Sequence, residues 1–247
     1  KGSAPNANVS RNEIRIMILD GNKISLEIKN EIKELVSKRV NERKKIPHLA
    51  AIIVGNDGAS LTYVGSKVRS CEQVGFKSTL IRLESNITEE ALLSKIRALN
   101  NDDTLDGYIV QLPLPQHINE EKILLAVDPK KDVDGFHPSN FGRMALEMDS
   151  FIPATPFGIM EMLKRYKIDV SGKHCVVIGR SHIVGRPISI LMSQKNNPGN
   201  ATVTLAHSKT KDIEKLTQKA DIIISALGIP EFLKADMVKD GAIVIDV

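Results

Sequence analysis

Apolar residues at Ile24, Ile28, Ile32, Leu35, Val36 and Val40 recur every three or four positions, which predicts a helix over 24–40 with one buried stripe. Leu49 to Val54 is instead an unbroken apolar run ending at Gly55, the pattern of a short strand covered on both faces. Asn56 to Ser60 reads as a turn, with the Ser60 hydroxyl placed to cap the next helix. Val64, Val68 and Cys71 give that helix its buried side. A strand over Ser78–Leu83, a helix over Thr88–Leu99 and a strand over Gly107–Leu112 continue the alternation.

Residues 126–155 interrupt this rhythm with turn-rich stretches, and Phe151 to Pro156 reads as a crossing between two lobes. Thr155 is expected to cap, and Pro156 to open, a helix running to about Tyr166. The pattern then restarts with a strand at Cys175–Ile178, a helix at Pro187–Gln194 and a strand at Thr202–Ala206. A helix at Ile213–Lys219 and strands at Ile222–Ala226 and Ala242–Val247 complete it. Strands alternating with helices predict an α/β protein with mainly parallel sheets. Two lobes follow, an N-terminal α/β domain over 17–152 and a C-terminal Rossmann-like domain over 153–247. The polar residues 1–16 are expected to be a tag or flexible extension.

Composition narrows the classes without naming a function. A hydrophobic share of 42% and a charged share of 26% are those of an ordinary globular protein. The net charge of +4 is dispersed, with no run of five like charges, which argues against nucleic-acid binding. Apolar runs too short to span a bilayer and a polar N-terminal stretch favour a cytoplasmic protein with no membrane partner. Cys71 and Cys175 lie within apolar patterns and are expected to be buried thiols rather than a disulfide or metal site.

Three clusters carry candidate chemistry. Tyr63 and Lys67 are four residues apart on one helical face, either as plain surface residues or as an aromatic platform beside an acid/base. Gly179-Arg-Ser-His-Ile-Val-Gly185-Arg-Pro187 lies between a strand and a helix, either as a plain connection or as a cradle for a phosphate at the helix N-terminus. The following strand ends in His207-Ser-Lys-Thr210 without a carboxylate, and with Arg180 these donors suit a 2′-phosphate, so NADP is favoured over NAD. Short-chain dehydrogenases share the Tyr/Lys spacing, but their pair follows the nucleotide loop, whereas here it precedes it. Gln111-Leu-Pro-Leu-Pro115 leaves the carboxyl end of a buried strand, where ligands gather in parallel sheets. Asp132-Val-Asp134-Gly135 is either an Asx turn or the source of a carboxylate for a polar heterocycle.

Taken together, Asp20-Gly21, Tyr63-Val-x-x-Lys67, Gln111-Leu-Pro-Leu-Pro115, Lys131-Asp-Val-Asp134-Gly135, Pro153-x-Thr-Pro-x-Gly158, the glycine loop, His207-Ser-x-Thr210 and Ile245-Asp-Val247 resemble the bifunctional methylenetetrahydrofolate dehydrogenase/cyclohydrolase family over roughly Leu19–Val247. The resemblance implies NADP-dependent oxidation of 5,10-methylenetetrahydrofolate and hydrolysis of the methenyl product to 10-formyltetrahydrofolate. Lys67 would be the acid/base of the hydrolytic step, with Gln111 hydrogen-bonded to it. Tyr63 would stack on the folate, Asp134 would anchor the pterin, and Leu112, Pro113 and Pro115 would wall the pocket. Thr155, Gly179, Arg180, Ser181, Val184, Gly185, Pro187, His207, Ser208 and Thr210 would form the cofactor side. No metal is implied, and a homodimer joined through the nucleotide lobes is. Family members continue past Ile245-Asp-Val247 with a glycine-rich loop and a further helix. A chain truly lacking that segment is expected to lose cofactor affinity and lobe docking. The alternatives are a single-activity dehydrogenase or cyclohydrolase, or a non-catalytic binder if that segment is truly absent. Ala154 stands where many relatives carry cysteine.

Overall fold

The computed structural model describes residues 17–247, so the expected extension at 1–16 lies outside the described residues. In chain order the first lobe runs α1 (Gly21–Asn41), β1 (His48–Val54), α2 (Gly58–Val74), β2 (Lys77–Leu83), α3 (Glu89–Asn100), β3 (Gly107–Val110), α4 (Glu120–Ala126) and α5 (Pro138–Ala145). The helix α6 (Ala154–Arg165) leads to β4 (His174–Ile178), α7 (Gly185–Ser193), β5 (Thr202–Ala206), α8 (Ile213–Thr217), β6 (Ile222–Ser225), a 3₁₀ turn (Ala235–Met237) and β7 (Ile243–Asp246).

Two parallel sheets result, with strand orders β2-β1-β3 and β5-β4-β6-β7. The apolar runs explain both. In β1, Ala50, Ile52 and Val54 face a core containing Leu92 and Ile96 of α3, while Ala51 and Ile53 face Val64 of α2. In β4, Cys175 and Val177 pack with Leu163 of α6 and Ile188 of α7, and Val176 and Ile178 pack on the α8 side. Burying each valine, isoleucine or leucine side chain contributes about 1.5–3 kcal/mol, and neither face of either strand could be polar without losing it.

Helix termini depart from expectation. Asp57, not Ser60, caps α2 by accepting the Ser60 N–H at 2.8 Å. α6 begins at Ala154 after Pro153 with no side-chain cap, so Thr155 and Pro156 lie inside its first turn. β3 stops at Val110, two residues short of the expected strand. α4 and α5 were not expected. α5 was hidden because its buried face is Asn140 and Met144, one polar and one apolar, within a run of turn-forming residues. The α1 stripe is narrower than its pattern: Ile24 and Val36 are buried, but Leu35 and Val40 are exposed. α1 is tied to α6 by Arg165, whose two terminal nitrogens donate to the two Glu31 oxygens at 2.7 Å each. Both cysteines are free; burial pushes the Cys175 thiol up to about 12 and also raises the half-buried Cys71.

Candidate active site

The carboxyl end of the first sheet and the start of α7 face each other across a cleft of about 420 Å³. On the first wall, α2 presents Tyr63 and Lys67 from one face. Lys67 Nζ lies 4.9 Å from the Tyr63 ring centroid, a cation–π distance, and 3.5 Å from Asp134 Oδ1. The spacing predicted the first contact; the second joins residues 67 positions apart and needs the fold. Tyr63 is 57% exposed, which leaves a ring face free for a planar ligand.

Asp134 is positioned by the turn behind it. Gly135 has φ +68°, and a Cβ there would fall 2.7 Å from the carbonyl carbon of Ile152, so only glycine lets this turn lie against the interlobe crossing. Burial raises the Asp134 carboxyl above the usual aspartate range, Lys67 opposes that rise, and Asp132 adds slightly to it.

Gln111 follows β3 into the cleft, and its backbone N–H donates to the Ile52 carbonyl at 2.9 Å. The expected hydrogen bond to Lys67 is absent. Instead the Gln111 Nε2 donates to the neighbouring Leu112 carbonyl at 2.7 Å. Its Oε1 is buried with no partner and marks an unmet donor requirement in the cleft. Leu112 and Pro113 line the cleft; Pro115 does not.

The second wall is Ala154 and Thr155 of α6 with Ile183 and Val184 of the glycine loop. The loop is a tight backbone fold. Gly179 has φ +116°, and a Cβ there would lie 2.3 Å from the Ala226 carbonyl oxygen; one on Gly185 would lie 2.1 Å from that of Gly179. Ser181 Oγ accepts the N–H groups of Val184 and Gly185 at 3.1 and 3.2 Å, which holds the turn ahead of α7. Gly179, Gly185 and Pro187 are buried and shape the loop, whereas Arg180 and Ser181 are exposed at its rim. Beside it, Gly179 N–H donates to the carbonyl of Ala206, the last residue of β5. The turn after β5 is closed by Thr210 Oγ1, which accepts the His207 N–H at 2.8 Å, and by His207 Nδ1, which accepts the Lys209 N–H at 3.2 Å. Ser208 and Lys209 are exposed there.

Several lining residues escaped the sequence reading: Asp57, Ser60, Val110, Phe136 and Ile183. Ser60 was legible in principle, since it precedes Tyr63 by three and Lys67 by seven on the same helical face. Among the described residues no group of three His, Cys, Asp or Glu could hold a metal, and no helix is long and apolar enough to cross a membrane.

Two parallel α/β lobes, a basic and acidic wall on one and a strand–glycine loop–helix on the other, define a two-domain enzyme of the dinucleotide-binding class. The chain belongs to the tetrahydrofolate dehydrogenase/cyclohydrolase family: the family's catalytic domain matches residues 19–134 and its NAD(P)-binding domain residues 153–247. It is 69% identical over 232 residues to the bifunctional protein FolD of Flavobacterium johnsoniae, covering 94% of this chain and 79% of that protein. Among solved structures, the FolD methylenetetrahydrofolate dehydrogenase/cyclohydrolase of Campylobacter jejuni superposes with a TM-score of 0.90 at 46% identity, over 94% of this chain and 81% of that one. The Trypanosoma brucei methylenetetrahydrofolate dehydrogenase-cyclohydrolase, solved with NADP and an inhibitor, gives 0.85 at 34% identity, over 93% and 77%.

Proposed function

We propose that this one cleft oxidises 5,10-methylenetetrahydrofolate to the methenyl cation with NADP and then hydrolyses the cation to 10-formyltetrahydrofolate. The observation that carries the reading is the meeting of Lys67, Asp134, Tyr63 and Gln111 with the glycine-loop residues Ile183 and Val184 around one cavity. The pterin's amino group and adjacent ring N–H form a pair of donors that the Asp134 carboxylate matches, and the exposed Tyr63 ring stacks on the folate. The unpartnered Gln111 Oε1 takes a donor from the substrate or from Lys67 once the cleft is filled.

The residues of the second wall fit a phosphorylated dinucleotide. Gly179 and Gly185 let the backbone turn closely, α7 opens toward the loop, and Arg180, His207, Ser208 and Lys209 supply donors with no carboxylate to favour an unmodified ribose. Bound NADP supplies the acceptor for the hydride that leaves the methylene carbon, a loss eased by the adjacent nitrogen lone pair. Thr155 and Val184 line the cleft in which the two ligands would meet. In the second reaction Lys67 moves protons as water adds to the methenyl carbon. The carbon–N5 bond breaks, one water proton ends on N5, and the other leaves to solvent.

Residues 17–152 act as the folate domain and 153–247 as the NADP domain, in a cytoplasmic homodimer joined through the latter. A spectrophotometric assay with methylenetetrahydrofolate and either NADP or NAD tests the reading. Reduction with little transient methenyl absorbance, faster with NADP, is the expected result. Absence of reduction by protein that binds both ligands overturns the dehydrogenase assignment, and steady methenyl accumulation overturns the cyclohydrolase.

A further inference from the structure

The turn bearing Asp134 is held from behind by a buried pair that neither reaction uses. Asp132 is 5% exposed and Asn140 only 4%. Asp132 Oδ2 accepts the His137 backbone N–H at 2.8 Å and the Asn140 amide at 2.9 Å. The same Asn140 nitrogen donates to the Pro129 carbonyl at 2.8 Å, so one amide ties Pro129 and Asp132 to α5, and Asp132 in turn holds His137. The segment's other flank is fastened to β3, where the Tyr108 N–H donates to the Lys131 carbonyl at 2.9 Å.

α5 is in turn anchored in the second lobe. Met144 packs in the core with Ile188, Leu191 and Met192 of α7, and Gln194 Nε2 donates to the Met144 carbonyl. α7 opens at Gly185 of the glycine loop. A continuous set of buried contacts therefore runs from the Asp134 turn through α5 to the helix that begins the nucleotide site. A buried hydrogen-bonded carboxyl is costly to leave unpartnered, so this arrangement has one favoured geometry.

We infer that Asp132 and Asn140 are positioning residues for substrate binding, holding Asp134 in register with the nucleotide lobe through α5. The inference rests on the assignment of Asp134 to the folate side. A pair serving stability alone would lower the melting temperature without singling out one substrate or one partner residue.

The test is a double-mutant cycle on purified, folded protein, reading KM for methylenetetrahydrofolate and for NADP. Asn140→Ala is expected to raise the folate KM about tenfold and to leave the NADP KM within about twofold. Added to Asp134→Ala, it is expected to change the folate KM no further, because its effect passes through that carboxylate. Asp132→Ala removes the oxygen that accepts both the His137 N–H and the Asn140 amide; it should show the same pattern and serves if Asn140→Ala does not fold. An unchanged folate KM in both single variants overturns the inference. So does an equal rise from Asn140→Ala in the Asp134→Ala background, including the case where Asp134→Ala is itself silent. The turnover of the unaltered enzyme judges the function separately.

Discussion

On the first wall of the cleft the proposed working groups are side chains gathered from distant positions, Lys67 from a helix and Asp134 from a turn 67 residues later. On the second they belong chiefly to the backbone between Gly179 and Gly185, where added carbon atoms would strike carbonyl groups. The first wall acts through chemistry that can be deleted one group at a time. The second acts through shape, which resists deletion but not addition. One cleft thus has two kinds of vulnerability.

The largest effect that would separate the walls comes from Lys67→Ala. Cyclohydrolase kcat should fall by about a hundredfold or more while NADP affinity stays near that of the parent, read by methenyl hydrolysis and cofactor titration. Retained hydrolysis would break the side-chain half of the contrast. Gly185→Ala tests the other half. Its Cβ would meet the Gly179 carbonyl oxygen at 2.1 Å, so the loop must shift, at a cost of about 1–3 kcal/mol by overpacking. Thermal unfolding should register that loss together with weakened NADP binding, and unchanged values would show that the loop is not backbone-limited.

The smallest effect sharpens the electrostatics of the first wall. Burial raises the Asp134 carboxyl in the folded protein, so its contribution to stability is full below the ordinary value of 3.8 and is lost as pH rises through the raised one. Asp134→Asn removes that loss. Its stability relative to the parent should therefore improve as pH rises above the ordinary carboxylate range, by a few degrees at most in melting temperature. Over the same range the parent's folate KM should rise on acidification, as the protonated carboxyl can no longer accept two donors. A pH-independent KM in the parent would remove Asp134 from the binding site.

Much of this was legible because it is local. Continuous apolar runs such as Leu49–Val54 specify buried strands, and four-residue spacing places Tyr63 and Lys67 on one face whatever the tertiary fold. Legibility failed where polar residues occupy buried positions. α5 went unseen because Asn140 points inward where a hydrophobic residue would have marked a helix. The resemblance pairs Gln111 with Lys67, but the Gln111 amide nitrogen donates to Leu112, its nearest backbone neighbour, and its oxygen is left without a partner. Ser60 and Thr155 suit capping by type, yet a cap is decided by where the helix turns, and Asp57 and Pro153 stand at those turns.

Each sheet draws its strands from one uninterrupted stretch, β1 to β3 before the crossing and β4 to β7 after it. This separation has a temporal meaning. A chain emerging from the ribosome can complete the three-stranded sheet before the glycine loop has been made. The Lys67 side of the first wall can therefore exist for a time facing only water, while the Asp134 turn awaits the second-lobe residues that anchor α5. The cleft becomes a closed reaction vessel later, when Ile183 and Val184 arrive to form its opposite side.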